Sequence, residues 1–528
     1  MNNLHNIVSK LSKSSAEAVH TFSKENSSIF EYLHTITPVE EKYIEILTQQ
    51  KGKKSLIFLS GSSGDGKSAI IAKNKDAFES DYDFHVDATH SFKSNQTATE
   101  ALDSSFHKYF KGNKSLVVGI NIGILMNYVE EGETEFSEIK ENIKTFLESK
   151  ENTENTFFIN FDDYSKFEFN SSKVSSPFIQ SIFKKITLHS DNNPFYRAFL
   201  KDTEENSISA LHQNFKLLSV ESIQESIIEL LITINLKYDQ FLTTRSLLDL
   251  VYVLLTAKDS LINKLFEDTS TSMMKNLSKE DPLQNRSYQL DKFILDRASG
   301  KEDEKLIEFI RGFNSLCKKE ILNDKDAFLL IRTFYLFRNS SISNDYHKEF
   351  TINFDDSKVH SFIHLVASHH EYKDENKKAI KHFYKQLKEA VLFYVNKNAP
   401  TLSKHNLVSI STTNGITVAV PVEIEANMSK IKNVTSKSGT SFPLFLKINS
   451  EEISTIDITL SIQNMIEQIL NGYRPNKHDR NTIVIFDELV QNILAKAVHS
   501  KEIVLLSDKK KVHFKNNEDE IEVVEDEA

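Results

Sequence analysis

The chain has 528 residues, too many for one ordinary core, and this length predicts about two to four domains. Its hydrophobic content of 39% and charged content of 26% are globular values, and no apolar run approaches a membrane span. The formal charge of −11 argues against a general electrostatic grip on nucleic acid, and the single cysteine, Cys317, excludes an intrachain disulfide and a cysteine-built metal site.

The first residues, Met1 to Asn6, show no basic region followed by an apolar stretch, so a cytoplasmic protein without a membrane anchor is expected. Gly and Pro are scarce, at 13 and 8, which favours long helices over a turn-rich β fold.

Residues 1–50 read as a helical segment, with Val8, Leu11, Ala18 and Phe22 near helical spacing. Residues 51–175 alternate strand-like and helix-like patterns. Strands are expected at Ser55–Ser60, Phe84–Ala88, Ser115–Asn121 and Phe157–Phe161, with helices over Thr97–Phe110 and Phe136–Leu147 between them. Regular β-α alternation predicts a parallel sheet sandwiched by helices. From 176 to 400 apolar stripes at helical spacing predict a large helical region; one runs through Ile223, Ile227, Ile228, Leu231 and Ile232. Near Pro400 the pattern shortens, and 401–515 reads as a smaller α+β domain. Its expected strands include Leu407–Ile410, Ile416–Val420 and Ile483–Phe486, with a hairpin of Ile503–Leu506 and Lys511–Phe514. Residues 516–528 are acidic and read as a solvated tail.

The chemistry is concentrated at Gly61-Ser62-Ser63-Gly64-Asp65-Gly66-Lys67-Ser68, a complete G-x-x-x-x-G-K-[ST] phosphate loop. It follows an expected strand and opens an expected helix, the context in which the pattern has a mechanism. Glycines let backbone N–H groups approach phosphate oxygens, Lys67 would oppose the β- and γ-phosphates, and the Ser68 hydroxyl would ligate Mg²⁺. ATP with Mg²⁺ is the expected ligand, on a P-loop NTPase core. The bland alternative is a glycine turn with a coincidental Gly-Lys-Ser.

Hydrolysis also needs a carboxylate at the end of a neighbouring strand. Asp162 and Asp163, after the fourth strand, are the preferred candidates, with Asp162 for Mg²⁺. Asp87, after the second strand, is a further acid within reach. The third strand ends in Asn121, a poor Mg²⁺ ligand. Asp487-Glu488 matches the acidic pattern better, but it lies beyond the composition break and reads sooner as a helix cap. Arg245 opens a helix in Thr243-Thr244-Arg245-Ser246, where it opposes the helix dipole; it is either a surface Arg or one aimed at the terminal phosphate. His369-His370-Glu371 reads more readily as an exposed helix end than as a metal site. The Lys-rich stretch Lys377–Lys388 reads as a solvated face sooner than a nucleic-acid contact. Arg332 and Arg338 could be structural or touch phosphate. No nuclease motif is present.

Four stretches together carry a family resemblance: Leu11–Val19, Phe58–Ser68, Asp87-Ala88-Thr89-His90-Ser91-Phe92 and Leu242–Asp249. With them, and in overall length, the chain resembles the DptF family of DNA phosphorothioation-dependent restriction proteins. The resemblance implies a P-loop ATPase subunit of a defence complex acting on DNA that lacks backbone sulfur. It implies DptG-like and DptH-like partners, with DNA met through the complex. Residues Gly61, Gly66, Lys67 and Ser68 would form the nucleotide site. The competing expectation is a signalling or scaffold P-loop ATPase that regulates assembly, oligomeric or otherwise, without touching DNA. A small-molecule kinase would need neither the helical region nor the C-terminal domain.

Overall fold

The computed structural model describes residues 3–14, 27–88, 97–149, 152–169, 174–269, 271–317, 320–340, 342–434, 439–453, 456–475, 479–507, 510–516 and 520–527. Ala18 and Phe22 of the expected N-terminal stripe, and Thr89–Phe92 of the resemblance, lie outside them. The chain divides into two compact units. One comprises Met1–Glu168 and Ser175–Asp355, the other Phe169–Val174 and Asp356–Ala528.

In the first unit, helix α1 (Asn3–Val8) starts on the carboxylate of Asp202, which accepts from the N–H groups of Asn3 and Leu4 at 2.7 and 2.9 Å. A carboxylate there satisfies orphan donors and opposes the helix dipole favourably. Helices α2 (Ser27–Leu33) and α3 (Pro38–Gln49) lead to a four-stranded sheet. Its strands are β1 (Leu56–Ser60), β2 (Tyr82–His85), β3 (Ser115–Ile120) and β4 (Thr156–Asn160), all parallel, in the order β2-β3-β1-β4. The connections carry α4 (Lys67–Phe78), α5 (Ala98–Lys111), α6 (Ile122–Glu131) and α7 (Ser137–Ser149). Thr97 and Glu100 form a capping box at the start of α5, worth about 1 kcal/mol.

All of β1 is buried, as a central parallel strand must be. Leu56 and Phe58 pack on one face with Phe106, Tyr128 and Phe146 of α5, α6 and α7. The Phe58 and Phe158 rings stack at 4.9 Å, and Phe146 stacks on Phe158 at 4.3 Å. Ile57 and Leu59 pack on the other face with Tyr43 of α3 and Ile71 of α4. The connection leaving β1 therefore covers one face and that leaving β3 covers the other. The carboxyl ends of these adjacent strands are the point where such sheets usually place a ligand.

Beyond the sheet the same unit is helical. It includes α8 (Pro177–Thr187), α9 (Pro194–Glu204), α10 (Ala210–Leu218), α11 (Glu221–Tyr238), α12 (Thr244–Leu255) and α13 (Ala327–Leu336). The expected Ile223–Ile232 stripe is buried along α11.

In the second unit, α14 (Ser357–His370) and α15 (Lys377–Val395) precede the strands. His369 of α14 and Phe383 of α15 pack on Phe442, which is why these helices belong with the C-terminal strands. The packing boundary falls near 355, although secondary structure changes character near 400. A five-stranded antiparallel sheet is built from β5 (Leu407–Thr413), β6 (Ile416–Pro421), β7 (Glu502–Leu506), β8 (Lys510–Asn516) and β9 (Ile521–Glu527). The order is β9-β8-β7-β6-β5.

Two expectations are corrected here. The acidic end is not a loose tail: residues 521–527 form β9, paired antiparallel with β8, whose Lys510 bonds Glu525 at 2.5 Å. Alternation of Ile521, Val523 and Val524 with acids gave the strand away less loudly than the charge suggested a tail. Ile483–Phe486 is not a strand but part of an 18-residue helix, Arg480–Ala497. Of that short apolar run only Phe486 is buried, on a helix face that continues through Leu489, Val490 and Ile493, while Val484 and Ile485 are exposed. Among the described residues no helix is long and apolar enough to cross a membrane.

Candidate functional site

The loop Gly61–Ser68 joins the carboxyl end of β1 to the first turn of α4. Its entry is tied down by the Gly61 N–H, which donates to the Ile120 carbonyl of β3 at 3.3 Å. A Cβ on Gly61 would lie 2.9 Å from the Phe161 Cβ, so only glycine passes there. Gly64 and Gly66 have φ of +87° and +106°, conformations that L side chains rarely adopt. Nothing lies within 4 Å of where a Cβ on Gly66 would sit, so the loop borders open space. That space faces the N–H groups that begin α4, a natural anion cradle.

Lys67 coils back over the loop. Its Nζ donates to the carbonyls of Gly61 at 2.9 Å and Ser62 at 2.8 Å, and the residue is only 9% exposed. Burial lowers its pKa, against the attraction of Asp65, Asp87 and Asp162. Three carboxylates thus act electrostatically on this ammonium, whose own hydrogen bonds go to the loop carbonyls. Ser68 Oγ lies 3.5 Å from the Val86 carbonyl, which sets the hydroxyl beside the residue before Asp87.

Asp162 follows β4 in a short 3₁₀ turn, Phe161–Asp163, whose Asp162 N–H is accepted by the Asn160 side chain at 3.3 Å. It stands at the solvent-facing rim. Desolvation by the surrounding protein, then the charges of Asp65 and Asp163, raise its pKa above the usual carboxylate value. Asp162 and Asp87 are therefore both at the loop, while Asp163 acts on Asp162 from the next position. Asn121 caps α6, its Oδ1 accepting from the Ile124 N–H at 2.7 Å, which explains an amide where an acid was sought.

Arg245 sits against the loop but does not aim into it. Its backbone N–H donates to the Gly64 carbonyl at 3.3 Å, and its guanidinium Nη2 donates to the Lys13 carbonyl at 3.0 Å. The neighbouring Thr244 Oγ1 donates to the Asp65 carbonyl at 3.2 Å. The expectation of an Arg directed at a terminal phosphate gives way to one that clamps the helical region and the N-terminal segment onto the loop backbone.

Sequence reasoning missed Lys166. Its Nζ is 2.8 Å from Asp65 Oδ1 and also donates to the Leu242 carbonyl. Asp65 Oδ2 accepts from the Ser62 N–H at 2.8 Å. Asp65 is thus the knot that holds the loop, the turn after β4 and the start of α12 together. No local pattern joins Asp65 to a lysine 101 positions away.

The remaining candidates have structural partners. Asp487 is mid-helix in the other unit and accepts from Tyr394 at 2.5 Å; it caps nothing. Arg332 pairs with Asp281 and Arg338 with Glu229. His369 and His370 are buried, not an exposed helix end: His369 Nδ1 bonds the Leu365 carbonyl at 2.7 Å and His370 Nε2 the Ser441 carbonyl at 2.9 Å. In Lys377–Lys388, Phe383 and Tyr384 are buried, so the aromatics belong to the core.

The chain matches no known family model, no curated protein and no solved structure. The geometry itself is that of a glycine-rich loop at the carboxyl edge of a parallel sheet, with one buried lysine, one hydroxyl and acids whose charge reaches that lysine.

Proposed function

We propose that the chain is a P-loop NTPase subunit that binds ATP with Mg²⁺ and serves in a phosphorothioation-dependent DNA restriction complex. The observation that carries the nucleotide reading is Lys67. Among the described residues its buried ammonium bonds the loop's own Gly61 and Ser62 carbonyls, contacts a phosphate can replace with stronger charge-assisted bonds.

The residues fit the ligand. The N–H groups at the start of α4 donate to phosphate oxygens, and Lys67 turns from the carbonyls toward the β- and γ-phosphates. Ser68, with Asp162 or Asp87, would hold Mg²⁺, which neutralises charge on the phosphates when bound. Asp65, Thr244 and Arg245 relay the loop's state to α12, so nucleotide binding biases the helical region, the logic of a nucleotide switch. The restriction role, with DptG-like and DptH-like partners, rests on the family resemblance alone. A scaffold ATPase that never touches DNA is the second reading. The Nη2 of Arg245 donates to the Lys13 carbonyl and not into the loop, which favours binding without turnover.

The test is ATP hydrolysis by the purified chain and by Lys67→Ala, each with and without unmodified duplex DNA. Turnover raised by DNA and abolished by the substitution supports the restriction subunit. Tight binding without turnover, indifferent to DNA, supports the scaffold. Equal ATP affinity in wild type and Lys67→Ala overturns the nucleotide site.

A further inference from the structure

The five-stranded sheet of the second unit ends on β9, and no described strand pairs with its outer edge. We propose that this edge is a docking site for an extended basic segment of another protein, which adds to the sheet as a further strand. The inference stands apart from the nucleotide reading, since every residue it uses lies in the second unit.

The two faces of this sheet are unlike. On one, Val524, His513, Val504 and Ala419 stand in register across β9, β8, β7 and β6, and Val504 and Ala419 are fully buried. On the other, Val523, Phe514 and Ile503 form the matching row. There Val523 is 56% and Ile503 44% exposed, and Ile521, at the start of β9, is 69% exposed. Apolar side chains thus run out to the open edge on a face that water reaches. Natural edge strands are ordinarily blunted. At the far edge β5 carries a bulge between Ser409 and Ser411. The register of β9 with β8 instead runs unshifted from Lys510↔Glu527 to Asn516↔Ile521. An unbroken edge strand offers a row of backbone donors and acceptors to one more strand.

Charge decides the occupant. Residues 518–527 are acidic at every position but Ile521, Val523 and Val524. A second copy of β9 would set acid against acid, which opposes pairing. The β8 of a second copy is not available either, since β7 and β9 flank it. The strand that β9 already accepts shows what it favours. β8 reads Lys510-Lys511-Val512-His513-Phe514-Lys515-Asn516, with Lys510 on Glu525 at 2.5 Å, Lys515 opposite Glu522 and Phe514 opposite Val523. The side chains of a strand stand above and below the sheet, so both of its neighbours meet the same ones. A segment with lysines near Glu522 and Glu525 and apolar residues beside Val523 and Val524 therefore finds on the outer edge the chemistry that holds β8 on the inner one. The acids act as a filter: they repel like strands and leave the edge open to basic ones.

The experiment uses the full chain and two fluorescent peptides. One has the β8 sequence, Lys510–Asn516; the other is the same peptide with Lys510→Glu, Lys511→Glu and Lys515→Glu. Anisotropy should show the basic peptide binding at least about tenfold more tightly, with the difference shrinking as salt rises from about 0.05 M to about 0.5 M. Amide exchange should slow in 521–527 when the basic peptide is added, and nowhere in the first unit. The double variant Glu522→Gln, Glu525→Gln should cut that affinity about tenfold. Its exchange rates in 521–527 without peptide certify that β9 is still paired. Equal affinity for the two peptides, or binding of neither, overturns the proposal. So does an undiminished affinity in a double variant whose β9 is intact. Protection gained outside β9, or lost in β8, overturns addition at the edge. A sedimenting dimer with 521–527 protected before any peptide is added gives the edge to a second copy and overturns the basic partner.

Discussion

Replacing Asp65 by alanine should separate what holds the loop from what the loop holds. The Asp65 side chain is 5% exposed and Lys166 is 23% exposed, at 2.8 Å. Removing one partner of a fully buried pair costs about 3–5 kcal/mol, and the partial exposure of Lys166 moves this toward the lower limit. The Ser62 N–H loses its acceptor as well, at about 1 kcal/mol. The two losses share one side chain and do not simply add, so a total of about 3 kcal/mol is expected for Asp65→Ala. Asp65→Asn keeps an acceptor for Ser62 and loses only the charge, so about half that is expected. Urea unfolding reads both as a lower midpoint with unchanged slope. Tripolyphosphate titration supplies the counter-readout: the freed Ser62 N–H and Lys166 favour an anion, so affinity should hold or rise while stability falls. An Asp65→Ala protein within about 0.5 kcal/mol of wild type would refute the reasoning.

Four further expectations follow from the structure. Asp162→Asn should stabilise the protein at neutral pH: the folded-state pKa is raised, so the ionised carboxylate costs stability above that pKa and the variant's advantage fades as pH falls through it. Mn²⁺ affinity in the presence of ATP, compared between Asp162→Asn and Asp87→Asn, identifies the metal acid as the substitution that abolishes it. His369, with its pKa lowered by burial to about 4, should make the second unit lose up to about 3 kcal/mol as pH drops from about 6.5 to about 4, since only the unfolded chain gains the proton there. That slope should vanish in His369→Leu; a slope unchanged in the variant assigns it elsewhere. Gly119→Ala would put a Cβ 2.4 Å from the Val86 carbonyl and 2.8 Å from Ile71 Cδ1. Thermal melts should register about 1–3 kcal/mol, and Mg²⁺-dependent ATP binding should weaken because Val86 carries Asp87 away from Ser68.

The sequence by itself determined the local pieces. Glycine spacing, a short apolar strand and a Lys-Ser helix start made the loop at Gly61–Ser68 legible, because each property is encoded within a few residues. Three strands of the parallel sheet were legible for the same reason, within a residue at their ends, while the second lies at Tyr82–His85, two to three residues before the expected Phe84–Ala88. So was the helical character of 176–395, since periodicity is local. Tertiary structure alone decided which carboxylates meet Lys67, because the order β2-β3-β1-β4 brings Asp87 and Asp162 to one edge from either side of β1. Only the fold joined Asp65 to Lys166 and turned Arg245 toward Lys13. It also made Ile483–Phe486 a helix turn and the acidic end an edge strand, since a short apolar or charged run fits either state until its neighbours choose. The cavity beside the loop, lined in part by Asp65 and Gly66, had no sequence signal, because its walls come from five helices and the connections between them, which meet only when the chain is folded.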